Sequence, residues 1–149
     1  MKERLAAAVA DAATFVERLS AKSLETIDPT RLRELLRELA DLRAARDEAK
    51  HWVFMLTQTD SENAAVLDVR AWVDSRLARL DDAISHFELA WMAVPDDRVR
   101  SLAEDEAVAR DRYYLLSVRR FSPFMLSPAE ERALSARDGR FAAADGGTL

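Results

Sequence analysis

Glu48 and His51 are the first pair in the chain whose types and spacing could hold a metal ion. At (i, i+3) on a helix both side chains project to one side, as in the Glu-x-x-His pairs of di-iron carboxylate bundles. Such a site needs a second pair and two further inward carboxylates. Ala83 occupies the position three before His86, and Asp82, four before it, is a poor substitute. Neither histidine falls on the apolar stripe of its helix. Both are therefore expected at the solvent-facing rim, and a di-metal bundle built on Glu48, His51, Asp82 and His86 ranks last among the functional expectations. With two His and no Cys, the chain offers no thiolate nucleophile, disulfide or iron–sulfur ligand. It also lacks a His-Glu-x-x-His zinc motif, a phosphate-cradling glycine loop and a nucleophile elbow. No catalytic residue and no cofactor is assigned to it.

Binding chemistry is the next question. Arg98, Arg100, Arg110, Arg112, Arg119 and Arg120 cluster with Tyr113, Tyr114 and Phe121, a combination that can bind nucleic acid. Asp96, Asp97, Glu104, Asp105, Glu106 and Asp111 share the stretch and balance it one for one, so an ion-paired, solvated face is the preferred reading. The formal net charge of −5 also disfavours a nucleic-acid partner. Trp72 sits beside its helix's main stripe. Phe121, Phe124 and Met125 make a connector unusually apolar. These four residues are the candidate interaction surface.

The elements that must position these residues are helices. The 149 residues make one domain's worth of chain, with 49% apolar and 33% charged residues and only 3 Gly and 4 Pro. Leu5, Val9, Ala12, Val16 and Leu19 mark one amphipathic helix. Ser20 to Thr30 reads as a connector. Asp28-Pro29 then opens a long helix on Leu32, Leu35, Leu39, Leu42, Ala49, Val53 and Leu56, interrupted by Arg46 and ending near Thr57. The polar run 57–63 is a short turn. The next helix carries Val66, Val69, Val73, Leu77, Leu80, Ile84, Phe87 and Trp91 on a sustained 3-4 alternation, which predicts a coiled-coil-like seam. Pro95 ends it. A short helix and turn fill 96–107, and a helix over 107–121 turns Val108, Leu115 and Val118 inward. Ser127-Pro128-Ala129-Glu130 is a capping box for a helix over 128–137, with Gly139 as its stop. The fold expected is all-α: an elongated antiparallel helical bundle with a long helical hairpin and shorter helices packed on it. It forms a single domain over 1–137, followed by a frayed tail over 138–149. No apolar run approaches the roughly 18 residues of a membrane span, and cytoplasm is the expected location.

The order of parts over 87–134 resembles the N-terminal helical region of the oligoendopeptidase F family, the thimet-oligopeptidase-like zinc metallopeptidases. The residues that carry the likeness are Phe87, Glu88 and Pro95 at a helix end; Arg112 to Leu115, an Arg-Tyr-Tyr-Leu run; and Arg120, Pro123, Leu126, Ser127, Glu130 and Glu131. The turn at 57–63 and the Asp28-Pro29 helix start also resemble the family, extending the likeness over roughly 5–137. The resemblance implies a helical lobe forming part of the wall of a channel that admits oligopeptides. Zinc and its ligands are implied only for a separate catalytic part. The implied partner is that catalytic domain or subunit, with oligopeptide substrate bound only when it is present. The alternative is a stand-alone helical interaction or oligomerisation module.

Overall fold

A computed structural model of the chain describes residues 1–120 and Ala133. The chain divides into two compact units, Met1–Arg119 and Arg120–Leu149, and the fold is described for the first. It is all-α. Its helices are α1 (Lys2–Glu17), α2 (Ala21–Glu25), α3 (Pro29–Thr59), α4 (Ala64–Met92), α5 (Asp96–Glu104) and α6 (Arg112–Arg120), with a 3-10 stretch at Glu106–Asp111. The apolar connector 121–127 and the capping box at Ser127 lie outside the described residues.

Local chemistry explains the boundaries. The Asp28 carboxylate accepts from the Thr30 and Arg31 amides, with Pro29 in the first turn of α3. Asn63 caps α4 by accepting from the Ala65 amide at 2.8 Å, and its side-chain amide donates to Asp60 across the turn. The expected connector at 20–30 contains a helix instead. Ser20 and Ser23 form a reciprocal capping box around the start of α2. Serine at the third helical position, where Glu or Gln is usual, hid that signal. The helix expected over 107–121 begins only at Arg112. Val108 leaves helical angles (φ −112°, ψ 16°), and 106–111 winds as a 3-10 turn.

α3 and α4 form the long hairpin, and two ion pairs fix its antiparallel register. Arg43 lies 3.5 Å from Glu88, and Arg46 lies 3.3 Å from Asp81. Helix α1 packs on both, antiparallel to α3 and parallel to α4. Its start meets Glu48 through Arg4 and Trp72 through Lys2; its far end meets Glu38 through Arg18 and His86 through Leu19. Seated between two helices, α1 needs a wide apolar face. Ala8 and Phe15 are buried alongside Leu5, Ala12 and Leu19, while Val9 and Val16 remain half-buried. Among the described residues, every buried side chain is apolar. Arg46, which interrupts the apolar stripe of α3, spans the hairpin to Asp81. Burial disfavours its cation, but Asp47 and Asp81 outweigh burial and hold its pKa above the ordinary value.

Length decides how much of the hairpin is covered. α1 has 16 residues, about 24 Å, against 31 residues and about 46 Å for α3. The buried positions of α3 stop at Ala49 and those of α4 begin at Val73. The apolar stripe continues beyond them through Val53, Leu56, Val66 and Val69, but these are only half-buried.

Candidate functional site

The densest polar–aromatic contact lies where α6 crosses the hairpin. Phe87 is fully buried at the centre. It stacks on Trp91 at 6.5 Å and on Tyr114 at 6.4 Å, and Phe15 tilts against its other side at 6.4 Å. The Tyr114 hydroxyl donates to Glu88 Oε1 at 2.9 Å, and the Arg43 guanidinium lies 4.0 Å above the Tyr114 ring. Trp91 Nε1 donates to the Leu115 carbonyl at 2.9 Å. Burial pushes the Tyr114 phenol above its ordinary value, the Glu88 carboxylate adds to this, and Arg43 partly offsets it. The phenol therefore stays protonated at neutral pH and acts as a hydrogen-bond donor rather than a base. Arg43 has no motif; its only signal in the sequence is a cation one residue after the Leu42 stripe position.

The arginine-rich stretch works differently from the ion-paired face expected of it. Arg98 donates to the Glu25 and Ile27 carbonyls at 2.7 and 2.5 Å, closing the end of α2. Arg112 donates to Ala103 and Glu104 at 2.6 and 3.1 Å, closing α5. Arg119 reaches the Trp91 and Met92 carbonyls at the end of α4 and also pairs with Asp96. Each guanidinium satisfies carbonyls that a helix end leaves orphaned, and its charge suits the negative end of the dipole. Sequence adjacency suggested charge pairing because the accepting carbonyls lie on other elements, as far as 73 residues away for Arg98 and Glu25.

The metal candidates are placed apart. Glu48 pairs with Arg4 at 2.9 Å, and His51 is exposed. His86 is half-buried and its Nε2 donates to the Leu19 carbonyl at 3.1 Å, tying α4 to the junction of α1 and α2. Asp82 is exposed and shares with His86 a shallow groove between α1 and α4. Among the described residues, no three His, Asp or Glu side chains gather. Trp72 is half-buried and flanked by cations, Arg76 at 4.0 Å and Lys2 at 5.6 Å from its ring. Phe121, Phe124 and Met125 lie outside the described residues.

An apolar surface that the sequence reading did not single out sits at the hairpin tip. Phe54, Met55 and Leu67 are 57%, 52% and 48% exposed, all beyond the reach of α1. Among the described residues, no helix is long and apolar enough to cross a membrane. No family model matches the chain, and no curated protein or solved structure matches it.

Proposed function

We propose that this chain is a non-catalytic helical lobe of the kind found at the N-terminus of oligoendopeptidase F-like zinc peptidases, forming part of an oligopeptide channel wall in the cytoplasm. One observation carries the reading. The residues through which the sequence resembles that family, Phe87 and Glu88 from one segment and Tyr114 from another, meet in a single interlocked contact. Pro95, a third, stands between α4 and α5 as the N-cap of α5. Zinc and the reacting groups belong to a separate catalytic part. The arginines engaged with carbonyls speak against a nucleic-acid partner. Purified chain supplied with zinc is expected to leave a fluorogenic oligopeptide intact. Chelator-sensitive cleavage that stays with the chain through purification overturns the proposal.

A second reading, a stand-alone interaction or oligomerisation module, is favoured by the uncovered tip at Phe54, Met55 and Leu67. Sedimentation with and without the catalytic part of such a peptidase separates the two. Self-association that disappears when that part is added supports the lobe. A specific dimer indifferent to it supports the module.

A further inference from the structure

The seat that α1 occupies on α3 and α4 continues past the start of α1. Arg4 lies 2.9 Å from Glu48 and Lys2 lies 5.6 Å from the Trp72 ring, so Glu48 and Trp72 mark where α1 begins on each helix. Side chains four, seven and eight positions after Glu48 share its face, and the side chain three before Trp72 shares that of Trp72. They are Trp52, Met55, Leu56 and Val69, all apolar. Trp52, Leu56 and Val69 are half-buried, and Met55 is 52% exposed. From Glu48 to the end of α3 at Thr59 this open strip is about 16 Å long. Its two ends differ in charge. Residues 57–69, at the turn, hold Asp60, Glu62 and Asp68 and no Lys or Arg. Where α1 starts, Lys2, Arg4 and Arg76 outnumber Glu3 and Glu48, while Arg70 and Asp74 offset each other 3.8 Å apart. Among the described residues, neither Lys2 nor Arg76 lies in an ion pair, and both stand over the Trp72 ring.

We propose that the hairpin tip of a second copy of this chain fills the strip. The two hairpins lie antiparallel across a two-fold axis, and each turn reaches the start of the other copy's α1. A strip that is apolar along its length, acidic at one end and basic at the other is complementary to itself when turned end for end. The lengths agree: strips that overlap over about 16 Å place each turn beside the partner's α1 start. Overlap in the same direction would set Asp60, Glu62 and Asp68 against their own counterparts, which like-charge repulsion disfavours. Burial of Trp52, Met55 and Leu56 supplies the attraction, and the charged ends fix its direction. The proposal deepens the interaction-module reading above and rests on it.

The test is sedimentation of the full chain with paired charge reversals. The parent chain should show a reversible monomer–dimer equilibrium that weakens as sodium chloride rises from about 0.05 to about 0.5 M. Glu62→Lys with Asp68→Lys, at the turn, should weaken dimerisation about tenfold, and so should Lys2→Glu with Arg76→Glu, at the α1 start. Helical circular dichroism should be unchanged in both. Mixing the two variants should restore the parent affinity, because each turn then meets an α1 start of opposite sign. Lys2→Glu alone, at an exposed side chain, replaces the second pair if Arg76→Glu unfolds the chain. Glu104→Lys with Glu106→Lys, exposed acids on α5 and the 3-10 stretch and matched in charge change, should leave dimerisation as it is. A chain that stays monomeric at every concentration overturns the proposal and the oligomerisation reading together. A dimer indifferent to the reversals, or one that mixing does not restore, overturns the antiparallel overlap alone.

Discussion

The two ends of the α3–α4 hairpin carry the same apolar pattern and different surroundings. At one end, α1, α2 and α6 pack around Leu32, Leu39, Leu80, Phe87 and Trp91, and these side chains are sealed from water. At the other, Val53, Leu56, Val66 and Val69 continue the stripe half-buried, and Phe54, Met55 and Leu67 face solvent. The difference follows from length. α1 starts opposite Glu48 and Trp72, so among the described residues the last turns of α3 and the first turns of α4 have only each other. Periodicity states which face of a helix is apolar; it does not state whether a neighbour is long enough to cover it.

The sharpest test of that contrast is a matched pair of truncations. Phe87→Ala removes a ring packed against three aromatic neighbours and should cost about 3–5 kcal/mol in urea unfolding. Phe54→Ala, at the tip, should change stability by no more than about 0.5 kcal/mol. Comparable losses at the two positions would show that the tip is packed as tightly as the base and would break the comparison.

A smaller effect is expected at the cations that close helix ends around the base. Arg98→Gln removes the guanidinium from the Glu25 and Ile27 carbonyls and should cost about 1–2 kcal/mol. Hydrogen exchange should quicken first in α2, which the side chain anchors. Unchanged exchange over 21–27 would mean that the carbonyls are equally well served by water.

These arginines also mark where the sequence stopped being legible. The hairpin and its cap at Asp28 could be read because each depends on residues close together in the chain, and its turn was read too, although α3 runs through Thr59, two residues past the expected end. Inward Val108, Leu115 and Val118 were equally plain from their spacing. Arg98 and Glu25 are 73 residues apart, and Arg43 and Glu88 are 45 apart. No local pattern announces such pairs, so the basic stretch looked like a surface balanced by neighbouring acids. The short helix α2 escaped for a different reason: serine replaced the usual acid or amide in its capping box. The exposed tip escaped because it depends on the relative lengths of three helices.

Tyr114 supplies a test in pH. Burial, with Glu88 adding to it, places its folded value above the unfolded value near 10. A phenol raised in this way contributes stability that is complete below the unfolded value. That contribution is lost as pH climbs from about 10 toward the folded value. Stability should therefore fall on the alkaline side, and Tyr114→Phe should flatten that fall. In Tyr113→Phe, where Tyr114 is the one tyrosine left, phenolate absorbance should stay absent through the ordinary tyrosine range. Phenolate appearing near pH 10 in folded Tyr113→Phe would show that the α6 end of the base is open to water.

The smallest effect on stability is expected where the effect on association should be largest. Changing Phe54, Met55 and Leu67 to serine removes apolar surface that already faces water, so each substitution should alter stability by no more than about 0.5 kcal/mol. If the tip is where this chain meets a second copy or another protein, the triple variant should stay monomeric at any concentration where the parent chain associates. Its urea midpoint should change little. The two readouts must separate, because a side chain that binds a partner is desolvated only on binding, whereas a core side chain is desolvated on folding. A triple variant that loses several kcal/mol would place these residues inside the fold. One that keeps both its stability and its association would show that the molecule meets its partners elsewhere, with Trp72 and its flanking cations, Lys2 and Arg76, the next surface to change.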